Sequence, residues 1–298
     1  MYSAFTAYVA PARAYPQLWR LVLGLGLILG IYFAWMGAVG LGLWLLAEGS
    51  GLDAGLAVIA RGAEPWALIL LLATFPGMGL GAWAAARLLH GRGWRSLFGP
   101  RARLLRDFGL GVGAMVLVGG GVGLLLLPMA PPLEPATDLR VWLLFLPLAL
   151  FGILIQTGAE ELVFRGYMQQ QLAARFTSPL IWLLLPSALF GLAHFAPDEM
   201  GENAWIVVVV TGFFGLIAAD LTARTGSLGL AWGLHFANNV LAILLISAMA
   251  GLDGLALFRL ADGHDTGSSL RVLLLADLLL MVLIWAACVF WLRRQGRQ

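Results

Sequence analysis

Long apolar runs separated by short polar stretches dominate the pattern along this 298-residue chain. A helix needs about 20 apolar residues to cross the hydrocarbon core of a bilayer. By that measure the pattern predicts eight spans, at 18–47, 66–90, 108–128, 140–163, 179–196, 204–223, 227–249 and 270–292. The fourth is expected to continue as helix to about residue 175, and the fifth is short and interrupted by Pro186. The count becomes seven if the fifth dips into the membrane rather than crossing it. The expected fold is all-α: a polytopic membrane protein of about eight transmembrane helices, built as a single membrane domain over residues 1–298.

Composition agrees with the pattern. The chain is 61% hydrophobic and 11% charged, against about 25% charged in a soluble domain. A net charge of only +2 suggests no nucleic-acid partner. Cys288 is the only cysteine, so no internal disulfide is expected. The first apolar run is too long for the h-region of a signal peptide and is expected to stay as an anchor. All 18 cationic side chains are arginine, and they are unevenly placed. Arg92, Arg95, Arg101, Arg103 and Arg106 follow the second span, and Arg293, Arg294 and Arg297 follow the last. The alternate loops are acidic or mixed, with Glu48, Asp53, Glu64, Glu134, Asp138, Asp198, Glu199, Glu202, Asp253, Asp262 and Asp265. The positive-inside rule then places both termini in the cytoplasm, in what is expected to be a bacterial inner membrane. Arg87, Arg92 and Arg95 read as anchors of this kind, Asp220 and Arg224 as a surface pair, and Trp19, Trp66 and Trp142 as an interfacial belt. Glycine runs such as GLGVGAM and GGGVG lack the strand and lysine of a phosphate loop. Close helix approach explains them better.

One stretch resists the lipid reading. QTGAEELVFRGY, residues 156–167, puts Glu160, Glu161 and Arg165 in the fourth span. Three such charges at mid-membrane could cost on the order of 8–10 kcal/mol before pairing. Glu161 and Arg165 are four apart and share a helix face, so they can pair. Glu160 is turned about 100° from Glu161 and has no cation on its own face. The next spans add FGLAHF, with Phe190 and His194, and HFANN, with His235 and Asn239. Each of these pairs at i and i+4 points from one face toward a common interior.

Depth supports the convergence. Glu160 precedes Arg175 by 15 residues, and His194 follows Pro179 by 15, around the turn RFTSP. In an antiparallel hairpin both would rise about 22 Å from that turn. His235, eight residues past Ser227, rises about 12 Å. It joins them if the RFTSP turn projects about 10 Å further out.

A carboxylate, two imidazoles and an amide suit hydrolysis without a covalent nucleophile. Glu160 would take a proton from water held by His194, while His235 and Asn239 donate to the developing oxyanion. Glu160, His194 and His235 could alternatively ligate zinc with water in an open position. HExxH spacing, a GxSG serine and paired YD and GxGD aspartates are all absent. An ion-coupled carrier using Asp220 or Asp277, and a silent scaffold, are the non-proteolytic alternatives.

In order and spacing, Glu160-Glu161-x-x-x-Arg165, Phe190-x-x-x-His194 and His235-x-x-x-Asn239 resemble the three motifs of the type II CAAX prenyl endopeptidase family. That family is also called CPBP or Abi. The resemblance covers about residues 140–250 as a catalytic core, leaving 1–130 as accessory spans. It implies an eight-helix intramembrane glutamate protease with a conical cavity formed by its fourth to seventh helices. Glu160 would be the general base, His194 its partner on the water, and His235 and Asn239 the oxyanion site. Glu161, Arg165 and Phe190 would support them. The implied partners are membrane lipids and a membrane-anchored protein or peptide, without an obligatory cofactor. A prenylated substrate does not transfer safely, because bacterial-looking members vary.

Overall fold

The computed structural model describes residues 2–46, 59, 62–126, 132–247, 253–260 and 266–296. Glu48, Asp53, Asp262 and Asp265 lie outside these residues, as do the ends of several expected spans. The fold is helical. A short helix α1 (Ser3–Val9) precedes α2 (Leu18–Leu46), and α3 spans Pro65–His90 with a break just before Pro76. A short α4 (Trp94–Phe98) leads into α5 (Arg101–Leu125) and the long α6 (Leu139–Arg175). Then come α7 (Pro179–Leu192), α8 (Ala204–Thr225), α9 (Gly229–Leu245) and α10 (Thr266–Arg294).

Six helices among the described residues are long and apolar enough to cross a membrane, which makes this a multi-pass integral membrane protein. The expected fifth and seventh spans differ from the prediction. Helix α7 has 14 residues, or about 21 Å of rise, short of a hydrocarbon core about 30 Å thick. The cause is local: Pro197 forces Ala196 out of helical geometry, and Ala196 sits at φ −129°. The helix unwinds at Leu192, so His194 lies in a turn rather than on the helix. Helix α9 likewise stops at Leu245, where the chain turns extended.

That extended segment belongs to a small sheet that the all-helical expectation omitted. Strands β1 (Leu133–Pro135), β2 (Ile246–Ser247) and β3 (Phe258–Leu260) lie in the order β1-β3-β2, with β1–β3 antiparallel and β3–β2 parallel. The sheet ties the start of α6 to the end of α9, and Trp142 adds a bond from its indole N–H to the Leu244 carbonyl at 2.9 Å.

Close backbone contacts set the helix directions. A Cβ on Gly233 would collide with the Phe108 carbonyl, and one on Gly111 with that of Leu230, so α5 and α9 touch backbone to backbone. Gly111 is the one member of the GLGVGAM run pressed this way; Gly109 and Gly113 have open space. Helices α6 and α9 are antiparallel, since Trp142 reaches Leu244 while Glu161 reaches His235. Helices α8 and α10 are parallel, with Arg271 bonded to Asn203 and Trp285 to Asp220.

One expectation of surface charge is corrected, and one of the expected cationic anchors is buried. Arg92 is buried, bonded to Gln170 and Ser96, and loss of hydration pulls its guanidinium down to about 10. The Arg224–Asp220 pair, at 2.7 Å, is partly buried and also accepts the Trp285 indole N–H, so it links α8 to α10. The last turns of α6, Gln170–Arg175, pack against α1 and the turn after it.

Candidate functional site

The polar residues of QTGAEELVFRGY sit where α6 changes geometry. An α-helical segment ends at Glu161 and a π-helical one runs from Leu162 to Gln169. Such π segments are frequent at functional sites. All the polar residues of the stretch that concern the site are buried. Glu161 and Arg165 pair at 3.0 Å with side chains 0% and 1% exposed. Arg165 also donates to the Gly215 carbonyl at 3.3 Å and lies 4.6 Å from the Phe190 ring centroid.

His235, on α9, links the two glutamates. Its Nδ1 lies 2.9 Å from Glu161 Oε1 and its Nε2 lies 3.5 Å from Glu160 Oε2. A carboxylate only accepts, so Nδ1 carries a proton that it donates to Glu161. Nε2 and Glu160 Oε2 then face each other with one proton to share between them. With that proton present, Glu161 and Arg165 cancel, Glu160 and His235 cancel, and the cluster is neutral. A cluster without net charge is far cheaper to bury in a bilayer.

Glu160 is held from its other side. Gln156, one turn earlier on α6, donates from Nε2 to Glu160 Oε1 at 2.6 Å, and its Oε1 accepts from Asn239 Nδ2 at 2.9 Å. Asn239 therefore keeps one N–H of its amide for another acceptor. Glu160 Oε2 and Glu161 Oε2 are buried and make no hydrogen bond among the described residues; of the two, Glu160 Oε2 faces His235 Nε2.

Glu160, Gln156, Phe190, His194, His235 and Asn239 all line one pocket of about 480 Å³. His194 makes no hydrogen bond to Glu160; its Nδ1 donates to the Phe190 carbonyl at 2.8 Å. A carbonyl can only accept, so the neutral ring presents Nε2 as an acceptor. Phe190 packs against both imidazoles, 4.8 Å from His194 and 5.8 Å from His235 between ring centroids. The walls come from more than the fourth to seventh expected spans. Leu68 and Phe75 of α3 and Leu274 and Met281 of α10 also line the pocket, and Ile246 and Ser247 of the small sheet lie against it.

Sequence reasoning missed Gln156, although it opens the quoted stretch. The same cost of a polar side chain in a lipid span would have singled it out. Asn238 and Asp277 also line the pocket. Asp220, offered for a carrier, does not; it is tied to Arg224 and Trp285. The zinc alternative does not fit. Among the described residues no group of three or more His, Cys, Asp or Glu side chains is placed to hold a metal ion, and Glu160, His194 and His235 form none.

The fold and pocket define a class: a polytopic helical membrane protein with a buried glutamate–histidine–amide cluster opening on an apolar-walled cavity. Residues 140–241 match the family model described as Type II CAAX prenyl endopeptidase Rce1-like, the family also called CPBP or Abi. The match includes Glu160, Glu161, Arg165, Phe190, His194, His235 and Asn239. The chain is also 31% identical over 172 residues to "Uncharacterized protein YyaK" of Bacillus subtilis (strain 168). That alignment covers 56% of this chain and 57% of the relative, so the chain spans little more than half the length of the curated relative it matches. No solved structure gives a significant match.

Proposed function

We propose that this protein is an intramembrane endopeptidase that hydrolyses a peptide bond of a membrane-associated protein with water activated by Glu160. The observation that carries this reading is Glu160 Oε2, buried with no hydrogen bond among the described residues, 3.5 Å from His235 Nε2, with Glu160 on the wall of a pocket of about 480 Å³. The Rce1-like match over residues 140–241 supports the same chemistry.

The residues divide the work as follows. Water binds between Glu160 Oε2 and His194 Nε2, each accepting one of its protons. As the water oxygen bonds to the scissile carbonyl carbon, Glu160 takes one proton. The carbonyl oxygen becomes an oxyanion facing the free N–H of Asn239 and, once the shared proton sits on it, Nε2–H of His235. Such donors commonly contribute about 3–4 kcal/mol each to the transition state. The C–N bond then breaks and Glu160 returns its proton to the leaving amine. Gln156 fixes Glu160 and Asn239 relative to each other, and Glu161 with Arg165 fixes His235.

The reading includes a bacterial inner-membrane location with both termini cytoplasmic. It takes residues 140–250 as the catalytic core and 1–130 as accessory spans, of which α3 supplies part of the pocket wall. Eight crossings fit the alternating helix directions, with α7 and α9 as short crossings. A lipidated, CAAX-like anchor on the substrate is one form the reading allows. The test is cleavage of membrane-anchored reporters by purified protein. Glu160→Ala protein that is folded and inactive supports the reading; unchanged turnover sinks it.

A further inference from the structure

A second concavity, of about 1170 Å³, lies at the other end of the helices, where α5 and α9 begin and α8 ends. Its lining includes Arg95, Arg101 and Arg103 and no aspartate or glutamate. Arg103 is pinned by a 2.7 Å bond to the Thr225 carbonyl, which ends α8. The side chains of Arg95 and Arg101 are exposed and make no hydrogen bond or ion pair among the described residues. Helix α5 starts at Arg101 without a side-chain cap, so its first-turn N–H groups add a partial positive charge beside the guanidinium groups.

The remaining wall is mostly apolar, with Ser3, Tyr8 and Ser96 as its other polar members. Trp94 stacks with Trp83 at 5.9 Å and with Phe98 at 6.0 Å between centroids, and Leu104 and Trp232 continue the surface along α5 and α9. Tryptophan gathered at the ends of membrane helices marks the level of the lipid head groups. An apolar wall running down from a cluster of cations at that level matches one kind of molecule.

We propose that this groove binds an anionic phospholipid, with the phosphate-bearing head group on Arg95, Arg101 and Arg103 and an acyl chain along Leu104 and Trp232. Three cations without a carboxylate favour a head group of net negative charge over a zwitterionic one, whose own cation they would repel. The groove is distinct from the Glu160 pocket: the two share no lining residue. The proposal does not depend on the protein being a protease.

The test is native mass spectrometry of the full-length protein in a non-ionic detergent, titrated with phosphatidylglycerol or phosphatidylcholine of matched chains. A cation near the membrane surface contributes about 1 kcal/mol toward an anionic lipid, so two account for a preference on the order of tenfold or more. Phosphatidylglycerol is expected to bind wild-type protein at least tenfold more tightly. Arg95→Gln/Arg101→Gln should lose most of that preference; if that variant fails to fold, Arg101→Gln alone should lower it severalfold. Arg293→Gln/Arg294→Gln, which removes equal charge elsewhere, should keep it. Equal affinity for the two lipids, or an equal loss in both double variants, overturns the proposal. Displacement of phosphatidylglycerol by millimolar inorganic phosphate also overturns it, because the site would then bind phosphate rather than a lipid.

Discussion

Removing Arg165 while leaving Glu161 in place should be among the most damaging single changes in this protein. Arg165 is 1% exposed and bonds Glu161 at 3.0 Å, the Gly215 carbonyl at 3.3 Å, and the face of Phe190. Breaking a buried pair from one side costs about 3–5 kcal/mol, most of it from the charge left behind. The Gly215 bond adds about 0.5–1.5 kcal/mol, although such terms do not simply add. Arg165→Met is therefore expected to lose about 3–5 kcal/mol. The double variant Glu161→Met/Arg165→Met leaves no orphaned charge; it takes a partner from His235 Nδ1 and from the Gly215 carbonyl, which costs about 1–3 kcal/mol. It should be more stable than the single variant, a coupling on the order of 2 kcal/mol. Arg165→Lys keeps the charge but loses the planar fork, and should lie between Arg165→Met and wild type. Reversible unfolding in mixed micelles with increasing SDS, followed by circular dichroism, measures each value. Arg165→Met within about 1 kcal/mol of wild type, or a double variant as unstable as the two single losses summed, would refute a buried pair that neutralises the cluster.

Gln156→Leu should lower turnover of a membrane-anchored reporter by roughly 10–100-fold with little change in KM, because it removes the bonds that hold Glu160 and Asn239 in register; steady-state kinetics checks this. Gly233→Ala should destabilise by about 1–3 kcal/mol in the same SDS titration, since its methyl group meets the Phe108 carbonyl. Trp232→Phe should cost about 1 kcal/mol by that assay, through loss of the indole bonds to the Leu154 carbonyl and Thr157 hydroxyl. A strong chelator should leave reporter turnover unchanged, because Glu160, His194 and His235 are not placed as a metal-holding group.

Much of this arrangement was legible from cost. Glu161 and Arg165 sit four residues apart in a lipid run, and the structure pairs them. The depth argument from Arg175 and Pro179 brought Glu160 and His194 toward one another, and both line the same pocket. What the period of the helix could not give was the direction of His235. Read from sequence as an oxyanion donor beside Asn239, it has its Nδ1 committed to Glu161, so only Nε2 remains for chemistry. That bond depends on the close approach of α6 and α9, where a Cβ on Gly158 would press into Trp232. No run of letters encodes that distance. Run length also overestimated α7, because hydropathy continues through His194 and Phe195 while the backbone has already unwound ahead of Pro197. The small sheet was missed for a different reason: its strands are two or three residues long, and β1 lies more than a hundred residues before the other two.

The central claim is that Glu160 activates a water that attacks the peptide bond directly. Single-turnover cleavage of a membrane-anchored reporter in H₂¹⁸O tests it. Wild-type protein should place one ¹⁸O in the new C-terminal carboxylate, hydroxylamine should trap no acyl intermediate, and folded Glu160→Gln protein should yield no product. Product formed by Glu160→Gln at the wild-type rate, or a hydroxylamine adduct in place of the labelled acid, would contradict it.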